Sequence, residues 1–237
     1  MRSSSPPRRK HAACLPETRG KFEFVARVVS VCRMESVRDG QEPDSEQRGI
    51  LVILAHPYPD RSRANRVLAR SLDGLESVAV RSLYDLYPDF AIDVAAEQAV
   101  LGAASAVVWQ HPIHWYAAPA LLKLWFEKVL TAGWAWGPGG DVLRGKPCQW
   151  VVTTGGDGID YLPSGIHQHT FEAFVPVVRQ TAQFCGMVWL EPLVVHEADR
   201  IDDATLDAWG GRYRSLLVSL GAEERTAVAA EEHAGDG

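Results

Sequence analysis

The chain has 237 residues, of which 46% are hydrophobic and 23% are charged, and this composition excludes a fibrous or wholly disordered protein. The length suits one large domain, or one domain with flanking segments. The net charge of −6 disfavours non-specific binding to nucleic acid by the molecule as a whole. Eight tryptophans are a surplus for this length, and most are expected to pack in the core.

The amino-terminal segment differs in charge from the rest of the chain. Residues 1–33 contain eight Lys or Arg and two Glu, whereas the remainder is acidic. Residues 2–10 (RSSSPPRRK) are basic, rich in Ser and Pro and without periodicity, which predicts disorder. We expect residues 1–49 to be an extension outside the fold, with a targeting peptide as the less favoured alternative.

The four cysteines and the apolar runs bear on metal binding and on the compartment. None of the cysteines forms a CxxC pair or has a nearby histidine at zinc-site spacing, so no metal site is predicted. No apolar run is long enough to span a membrane, and no convincing signal peptide is visible. These features favour buried free thiols and a reducing cytoplasm.

From residue 50 onwards, apolar strands alternate with helices. Residues 50–55 (ILVILA) are continuously apolar, which is typical of a parallel strand covered on both faces. The pattern predicts strands at 50–55, 78–83, 106–110, 149–154 and within 187–195, and helices at 64–72, 94–104, 119–130, 171–184 and 202–220. The last helix is expected to end at Gly221, before a disordered acidic tail at 222–237.

This alternation predicts an α/β fold. Residues 50–221 should form one doubly wound, five-stranded parallel sheet of order 2-1-3-4-5 with helices on both faces. Ligands of such sheets bind at the carboxyl ends of the strands, near the switch between strands 1 and 3. The loops after strands 1, 3 and 4, at 56–65, 111–116 and 153–167, are therefore expected to carry the chemistry, and they are dense in polar and aromatic residues.

The first of these loops has features of a phosphate site. The chain contains neither GxGxxG nor GxxxxGK[ST], which disfavours a Rossmann dinucleotide site or a P-loop. Ser62 and Asn65 nevertheless stand at a helix amino terminus, where free N–H groups favour a phosphate, and His56 can add a hydrogen bond. The alternative is that Ser62 only caps the helix and His56 only satisfies the loop.

The other two loops have features of a site for a planar ring. Trp115 and Tyr116 can supply flat surfaces at a strand end, although an aromatic pair often serves packing alone. The TTGG segment at 153–156 offers hydroxyls and lets the backbone approach a ligand closely. A phosphate at one loop and a flat ring at two others together indicate a flavin mononucleotide.

Several motifs, in the same order along the chain, resemble the flavodoxin-like NAD(P)H quinone oxidoreductases. They are HP at 56–57, SRAN at 62–65, LYDLYPDF at 83–90, QHP at 110–112, WY at 115–116, LLKLWFEKV at 121–129, GWAWG at 133–137 and TTGG at 153–156. The resemblance is greatest to the bacterial ancillary oxidoreductases of glutathione-gated potassium efflux systems. It covers residues 50–220 and leaves the first fifty residues without a counterpart.

The resemblance implies an FMN site, with FAD as the less favoured alternative. The phosphate end would involve the residues of the first loop: His56, Ser62, Arg63, Ala64 and Asn65. The isoalloxazine ring would lie on Ile113, His114, Trp115 and Tyr116, with Thr153, Thr154, Gly155 and Gly156 along its edge. His114 departs from the efflux-associated relatives, which tend to carry Gln at this position.

A catalytic pair is implied in the same way. Residues 155–167 (GGDGIDYLPSGIH) resemble the loop of animal-type quinone reductases that places a Tyr and a His beside the flavin. The equivalents would be Tyr161 and His167, which would stabilise charge on the flavin as the hydride arrives. The alternative is that Tyr161 is a flexible lid residue and His167 a solvated loop histidine.

The resemblance implies two-electron transfer from NAD(P)H through FMN to a quinone-like acceptor, by a homodimer whose subunits complete each other's pockets. One alternative is a regulatory subunit docked on the cytoplasmic domain of a potassium efflux antiporter, with reductase activity secondary. Another is a one-electron flavodoxin-type carrier, which the long loop at 161–167 disfavours. We expect no nucleic-acid partner, and we expect a cytoplasmic protein that reaches the membrane only through a partner.

Overall fold

A parallel β-sheet between two layers of helices forms the core of the computed structural model, which describes residues 49–235. The expectations for residues 1–48 lie outside the described residues. The strands are β1 Ile50–Leu54, β2 Val78–Ser82, β3 Ala106–Pro112, β4 Pro147–Thr153, β5 Val188–Trp189 and β6 Leu193–Val195. The helices are α1 Ala64–Arg70, α2 Leu83–Leu86, α3 Val94–Ala103, α4 Ala120–Val129, α5 Val175–Phe184 and α6 Asp203–Gly235, with 3₁₀ turns at Pro59–Arg61 and Phe171–Ala173.

The strand order is β2-β1-β3-β4-β5, with parallel pairing throughout, which confirms the predicted fold class and order. The predicted fifth strand is divided into β5 and β6, which both pair with β4. Pro192 lies between them and has no N–H to donate to a ladder. Gln149 Nε2 donates to the carbonyl of Glu191 at 2.7 Å and holds this interruption against β4.

The alternating side chains of the buried strands enter two separate cores. Leu51 and Ile53 of β1 pack in a cluster with side chains of α3, α4 and α5. Ile50 and Val52 pack on the other face with side chains of α1 and α6. The continuous apolar run at 50–55 therefore arises because both faces of β1 are covered, as predicted.

The carboxyl-terminal helix is longer than predicted. The predicted helix end at Gly221 is wrong, because α6 continues to Gly235 and residues 222–235 of the predicted tail are helical. The residues that follow Gly221 are rich in Ala and Glu, which are strong helix formers. Their summed preference outweighs the cost of about 1 kcal/mol that one glycine imposes on a helix.

Candidate functional site

A cavity of about 290 Å³ lies at the carboxyl ends of β1, β3 and β4, where the predicted fold places a ligand. The loops after these three strands all contribute to its wall. Of the thirteen predicted cofactor residues, ten line it: His56, Ser62, Arg63, Ala64, Asn65, Ile113, His114, Thr153, Thr154 and Gly155. Trp115, Tyr116 and Gly156 lie outside this wall.

Ser62 supplies a buried hydroxyl that has no protein partner. Only 5% of the residue is exposed, and its Oγ makes no hydrogen bond within the described part of the chain. The alternative that Ser62 caps α1 is wrong, because the residue at the N-cap is Arg63 and no side chain caps the helix. An unsatisfied buried hydroxyl costs about 1–3 kcal/mol, which a ligand oxygen in the cavity would offset.

Two other polar residues of the first loop, Arg63 and Asn65, make hydrogen bonds within the protein. Asn65 Nδ2 donates to Thr153 Oγ1 at 2.9 Å, and the Asn65 carbonyl accepts from Gln110 Nε2 at 3.0 Å. The Arg63 guanidinium donates to the carbonyl of Ile201 and to Asp203, at the start of α6. Asn65 therefore braces the loop against β3 and β4, and the charge of Arg63 is directed towards α6.

Two imidazoles meet at the wall of this cavity. The ring of His56 lies 6.3 Å from that of His114, at an interplanar angle of 72°. Burial lowers the pKa of His56, and the neighbouring His114 lowers it further. The backbone N–H of Tyr58 donates to His56 Nδ1 at 3.1 Å, which leaves Nε2–H as the remaining donor of the neutral ring.

Trp115 and Tyr116 form the centre of a tight turn beside the cavity. His114 and Ala117 exchange two backbone hydrogen bonds of 3.0 Å, and the φ angles between them are +48° and +63°. Left-handed angles at two bulky residues cost on the order of 1–3 kcal/mol each. Trp115 is 93% exposed and lies outside the cavity wall, and its role as a ring platform stays a prediction.

A larger cavity, of about 660 Å³, opens between α4 and α5. Ile113 belongs to the walls of both cavities, so the two spaces are neighbours. The wall of the larger cavity is mainly apolar and aromatic, and it includes Tyr116, Phe126, Trp136, Trp150, Phe174 and Phe184. A flat apolar molecule in this cavity would therefore lie next to whatever occupies the smaller cavity at Ile113.

The predicted catalytic pair, Tyr161 and His167, lies close together. The two rings pack against each other, and the polar contact of His167 is with Tyr116. The rings of Tyr161 and His167 lie 4.4 Å apart, while His167 Nδ1 is 3.4 Å from the hydroxyl of Tyr116. Tyr161 is only 6% exposed, so it is not an exposed lid residue. Burial raises the pKa of its phenol, and an interaction with the Thr154 hydroxyl opposes that rise.

Gly156 lies beneath the same loop and not at the cavity. A Cβ atom added there would be 2.9 Å from Asp160 Oδ2 and 3.1 Å from His167 Nε2. A larger residue would therefore displace the loop that carries Tyr161 and His167. This close approach gives a physical reason for the second glycine of the TTGG segment.

Sequence reasoning missed the loop that follows β6. His196 Nδ1 lies 2.9 Å from Thr154 Oγ1, and Asp199 lines the smaller cavity. Burial lowers the pKa of His196. The signal that could have found them is topological, because this loop leaves the carboxyl end of the strand next to β4.

Three further features can be stated for residues 49–235. None of the helices there combines the length and the apolar character that a membrane crossing requires. No group of three or more His, Cys, Asp or Glu side chains in this part of the chain is arranged to hold a metal ion. Cys148 and Cys185 are free and buried, as expected.

A sheet of order 2-1-3-4-5 with a ligand cavity at its switch point defines the flavodoxin-like class. A sequence model of the flavodoxin-like fold family matches residues 48–217, and the chain belongs to this family. This result confirms the resemblance found in the motifs.

Two curated proteins are similar to the chain at about 50% sequence identity. Over 170 residues the chain is 50% identical to the glutathione-regulated potassium-efflux system ancillary protein KefF of Salmonella schwarzengrund, covering 72% of this chain and 96% of that protein. The Klebsiella pneumoniae protein of the same name is 51% identical over 173 residues, covering 71% and 94%.

The chain also resembles solved structures, among them two at 32% and 25% sequence identity. General stress protein 14 of Treponema denticola, in complex with FMN, is 32% identical with a TM-score of 0.68, covering 73% of this chain and 99% of that chain. An NADPH-quinone reductase from P. pentosaceus is 25% identical with a TM-score of 0.65, covering 71% and 97%.

Proposed function

We propose that the protein is an FMN-dependent NAD(P)H:quinone oxidoreductase that delivers two electrons to a quinone-like acceptor. The observation that carries the proposal is the cavity in which three loops meet around the unpartnered Ser62 hydroxyl. The similar Treponema denticola protein is described in complex with FMN, and the similar P. pentosaceus protein as an NADPH-quinone reductase. Both descriptions support the proposal.

The residues present fit FMN. Ser62 and the half-buried His56 supply donors for a phosphate, and the unengaged Ser62 Oγ is the donor that the fold leaves unsatisfied. At Gly155 an added Cβ would meet no atom within 4 Å, so the backbone stands open to a ligand there. Thr153 and Thr154 line the same wall and are held by Asn65 and His196.

Bound FMN would supply the hydride chemistry, and the chain would bind, orient and shield the reactants. The larger cavity supports binding of an apolar, flat acceptor next to Ile113. Tyr116 and His167, whose polar atoms lie 3.4 Å apart, are placed to give a proton to an acceptor oxygen. Tyr161 and His167 remain the proposed pair that stabilises developing negative charge.

The test is the flavin content and activity of the purified chain. We expect a yellow protein whose released cofactor has the mass of FMN and not of FAD. We also expect oxidation of NADH or NADPH that depends on an added quinone. A colourless protein that cannot be reconstituted with FMN, or a flavin-loaded protein without quinone-dependent oxidation, would overturn the proposal.

A second function is favoured by the relatives named as ancillary proteins of a glutathione-regulated potassium-efflux system. Their identity of about 50% extends over 94–96% of their length. In this role the chain would act in the cytoplasm, docked on the cytoplasmic part of an efflux antiporter, with reduction secondary. We expect co-purification with such an antiporter and faster potassium efflux on co-expression. Absence of both effects would exclude this role.

We also propose a homodimer. The larger cavity is open to solvent, and its wall includes the strongly exposed side chains Val177 (74%) and Phe184 (61%). A second copy laid over this face would cover them and close the cavity over an acceptor.

A further inference from the structure

The hydroxyl of Thr154 contacts two polar groups. It donates to the carbonyl of Gly156 at 2.8 Å and lies 2.9 Å from His196 Nδ1. A hydroxyl has one hydrogen to donate and two lone pairs to accept with. With the Thr154 hydrogen directed at the Gly156 carbonyl, which can only accept, the contact requires the Nδ1–H tautomer of His196 as donor to Thr154.

The backbone that follows His196 is hydrogen-bonded to the segment that contains Thr154 and Gly156. The Gly156 carbonyl accepts a second hydrogen bond, from the N–H of Glu197 at 3.0 Å, and the Thr154 carbonyl accepts from Ala198 at 2.9 Å. Glu197 has a φ of +55°, a left-handed conformation that is costly for a residue with a side chain. The fold thus holds a strained residue at the point where the His196 ring reaches Thr154.

We propose that His196 is a positioning residue of the cofactor site, which acts through Thr154. Its Nδ1–H fixes the Thr154 hydroxyl, which in turn orients the Gly156 carbonyl. His196 itself lines neither of the two cavities described above, whereas Thr154 lines the smaller one. The inference deepens the proposed function and rests on it, because the positioned residues are those assigned to FMN.

If His196 served only to pack against neighbouring rings, substitutions at this position would have the opposite order of effect. The His196 ring lies 5.3 Å from that of Tyr161 and 5.7 Å from that of Phe171, so it also belongs to an aromatic cluster. His196→Phe keeps an aromatic ring and loses the donor. His196→Asn loses the ring, but its amide can place a donor where Nδ1–H stands. Positioning predicts that Asn is the better replacement, whereas packing predicts Phe.

The first measurement is the affinity of the flavin-free full chain for FMN, followed by quenching of flavin fluorescence. Loss of one hydrogen bond of ordinary strength is expected to weaken FMN binding about tenfold in His196→Phe. His196→Asn should stay within about threefold of the wild type. His169→Phe, the same change at an exposed loop imidazole, should bind as the wild type does. Equal affinity of His196→Phe and wild type, or weaker binding by His196→Asn than by His196→Phe, overturns the inference.

The second measurement needs no flavin. Nitrogen-15 NMR of the imidazole in the flavin-free chain should show His196 as the Nδ1–H tautomer, and Thr154→Val should remove that preference. A wild-type Nε2–H tautomer overturns the inference whatever binds in the cavity. If the wild type fails to bind FMN while the Nδ1–H tautomer is found, the proposed function fails and the contact between His196 and Thr154 stands.

Discussion

At the level of single residues, the Ser62 hydroxyl is the sharpest test of the phosphate end. It is buried without a partner, so Ser62→Ala should leave the stability of the flavin-free protein unchanged or raise it. A hydrogen bond to a charged group contributes about 1.5–3 kcal/mol, so FMN should bind about 10- to 100-fold more weakly. Fluorescence titration with FMN checks this, and riboflavin, which lacks the phosphate, should bind equally to both proteins.

Ser71→Ala is the matched control. Ser71 lies at the other end of α1 from Ser62, and its hydroxyl makes a hydrogen bond within the protein. Ser71 Oγ donates to the carbonyl of Leu68 at 2.7 Å. Its loss should lower the free energy of unfolding by about 1 kcal/mol and leave FMN affinity unchanged. If Ser62→Ala binds FMN as tightly as the wild type, Ser62 does not contact the phosphate.

His111 gives the fold a pH dependence. Its ring is fully buried, accepts from Trp150 Nε1 at 2.8 Å and contacts the Pro112 carbonyl through Nδ1 at 2.9 Å. Burial lowers the pKa of His111 to about 4, from the ordinary value of 6.5. The unfolded chain therefore binds a proton that the folded protein excludes, and stability present above pH 6.5 is lost as the pH falls towards 4. The loss approaches roughly 3 kcal/mol.

Urea unfolding of the wild type and His111→Asn between pH 7.5 and pH 4.5 tests this contribution. His56 and His196, whose pKa values burial also lowers, act in the same direction. Only the difference between the two proteins therefore reports on His111. The unfolding free energy of His111→Asn should fall less with decreasing pH, and parallel pH profiles would contradict the assignment.

At the level of elements, a buried carboxylate joins one side of the sheet to its helices. Glu97 of α3 is fully buried and accepts hydrogen bonds from Arg81 Nε at 3.0 Å, the Tyr87 hydroxyl at 2.6 Å and Trp125 Nε1 at 2.9 Å. Glu97→Ala should cost about 3–5 kcal/mol of unfolding free energy, because it leaves a partly buried Arg81 without its partner. Glu127→Ala, at the exposed pair with Lys123, should cost at most about 1 kcal/mol.

Equilibrium denaturation of both variants measures this difference. A small effect of Glu97→Ala would show that Arg81 finds another partner or reaches water. Glu97 lines neither the smaller nor the larger cavity, so the comparison tests a structural role of this carboxylate.

The elements that could be predicted are those whose signal is local. The apolar runs of β1 and β3 reflect burial on both faces, and the strand order follows from general rules of parallel sheets. The break between β5 and β6 and the continuation of α6 past Gly221 depend on neighbouring strands and on summed helix preference. A short stretch of sequence read by itself does not show whether strand pairing or helix preference will decide the structure there.

The site could be predicted in the same partial way. Ten of the predicted cofactor residues line one cavity because strand ends of a parallel sheet share one edge, which topology alone dictates. The tight turn at Trp115 and Tyr116 depends on two left-handed φ angles, which no residue type in that turn indicates. The contact of His196 with Thr154 joins residues 42 positions apart, and only the pairing of β4 with β6 brings them together.

At the level of the whole molecule, the larger cavity forms an open apolar face, which is the surface proposed for the acceptor and for the second copy. Val177, which is 74% exposed in the first turn of α5, lies in the wall of the larger cavity. Val177→Asp should convert a dimer into a monomer in sedimentation velocity at micromolar concentration, because a buried unpaired carboxylate is costly. It should leave folding intact, since an acidic residue is favourable in the first turn of a helix. Quinone-dependent turnover should fall at least tenfold while FMN stays bound, because the cavity loses its cover.

Val218→Asp, at an exposed apolar residue of α6, should remain dimeric and active. A wild type that sediments as a monomer would refute the dimer, and a dimeric Val177→Asp would place the interface on another face.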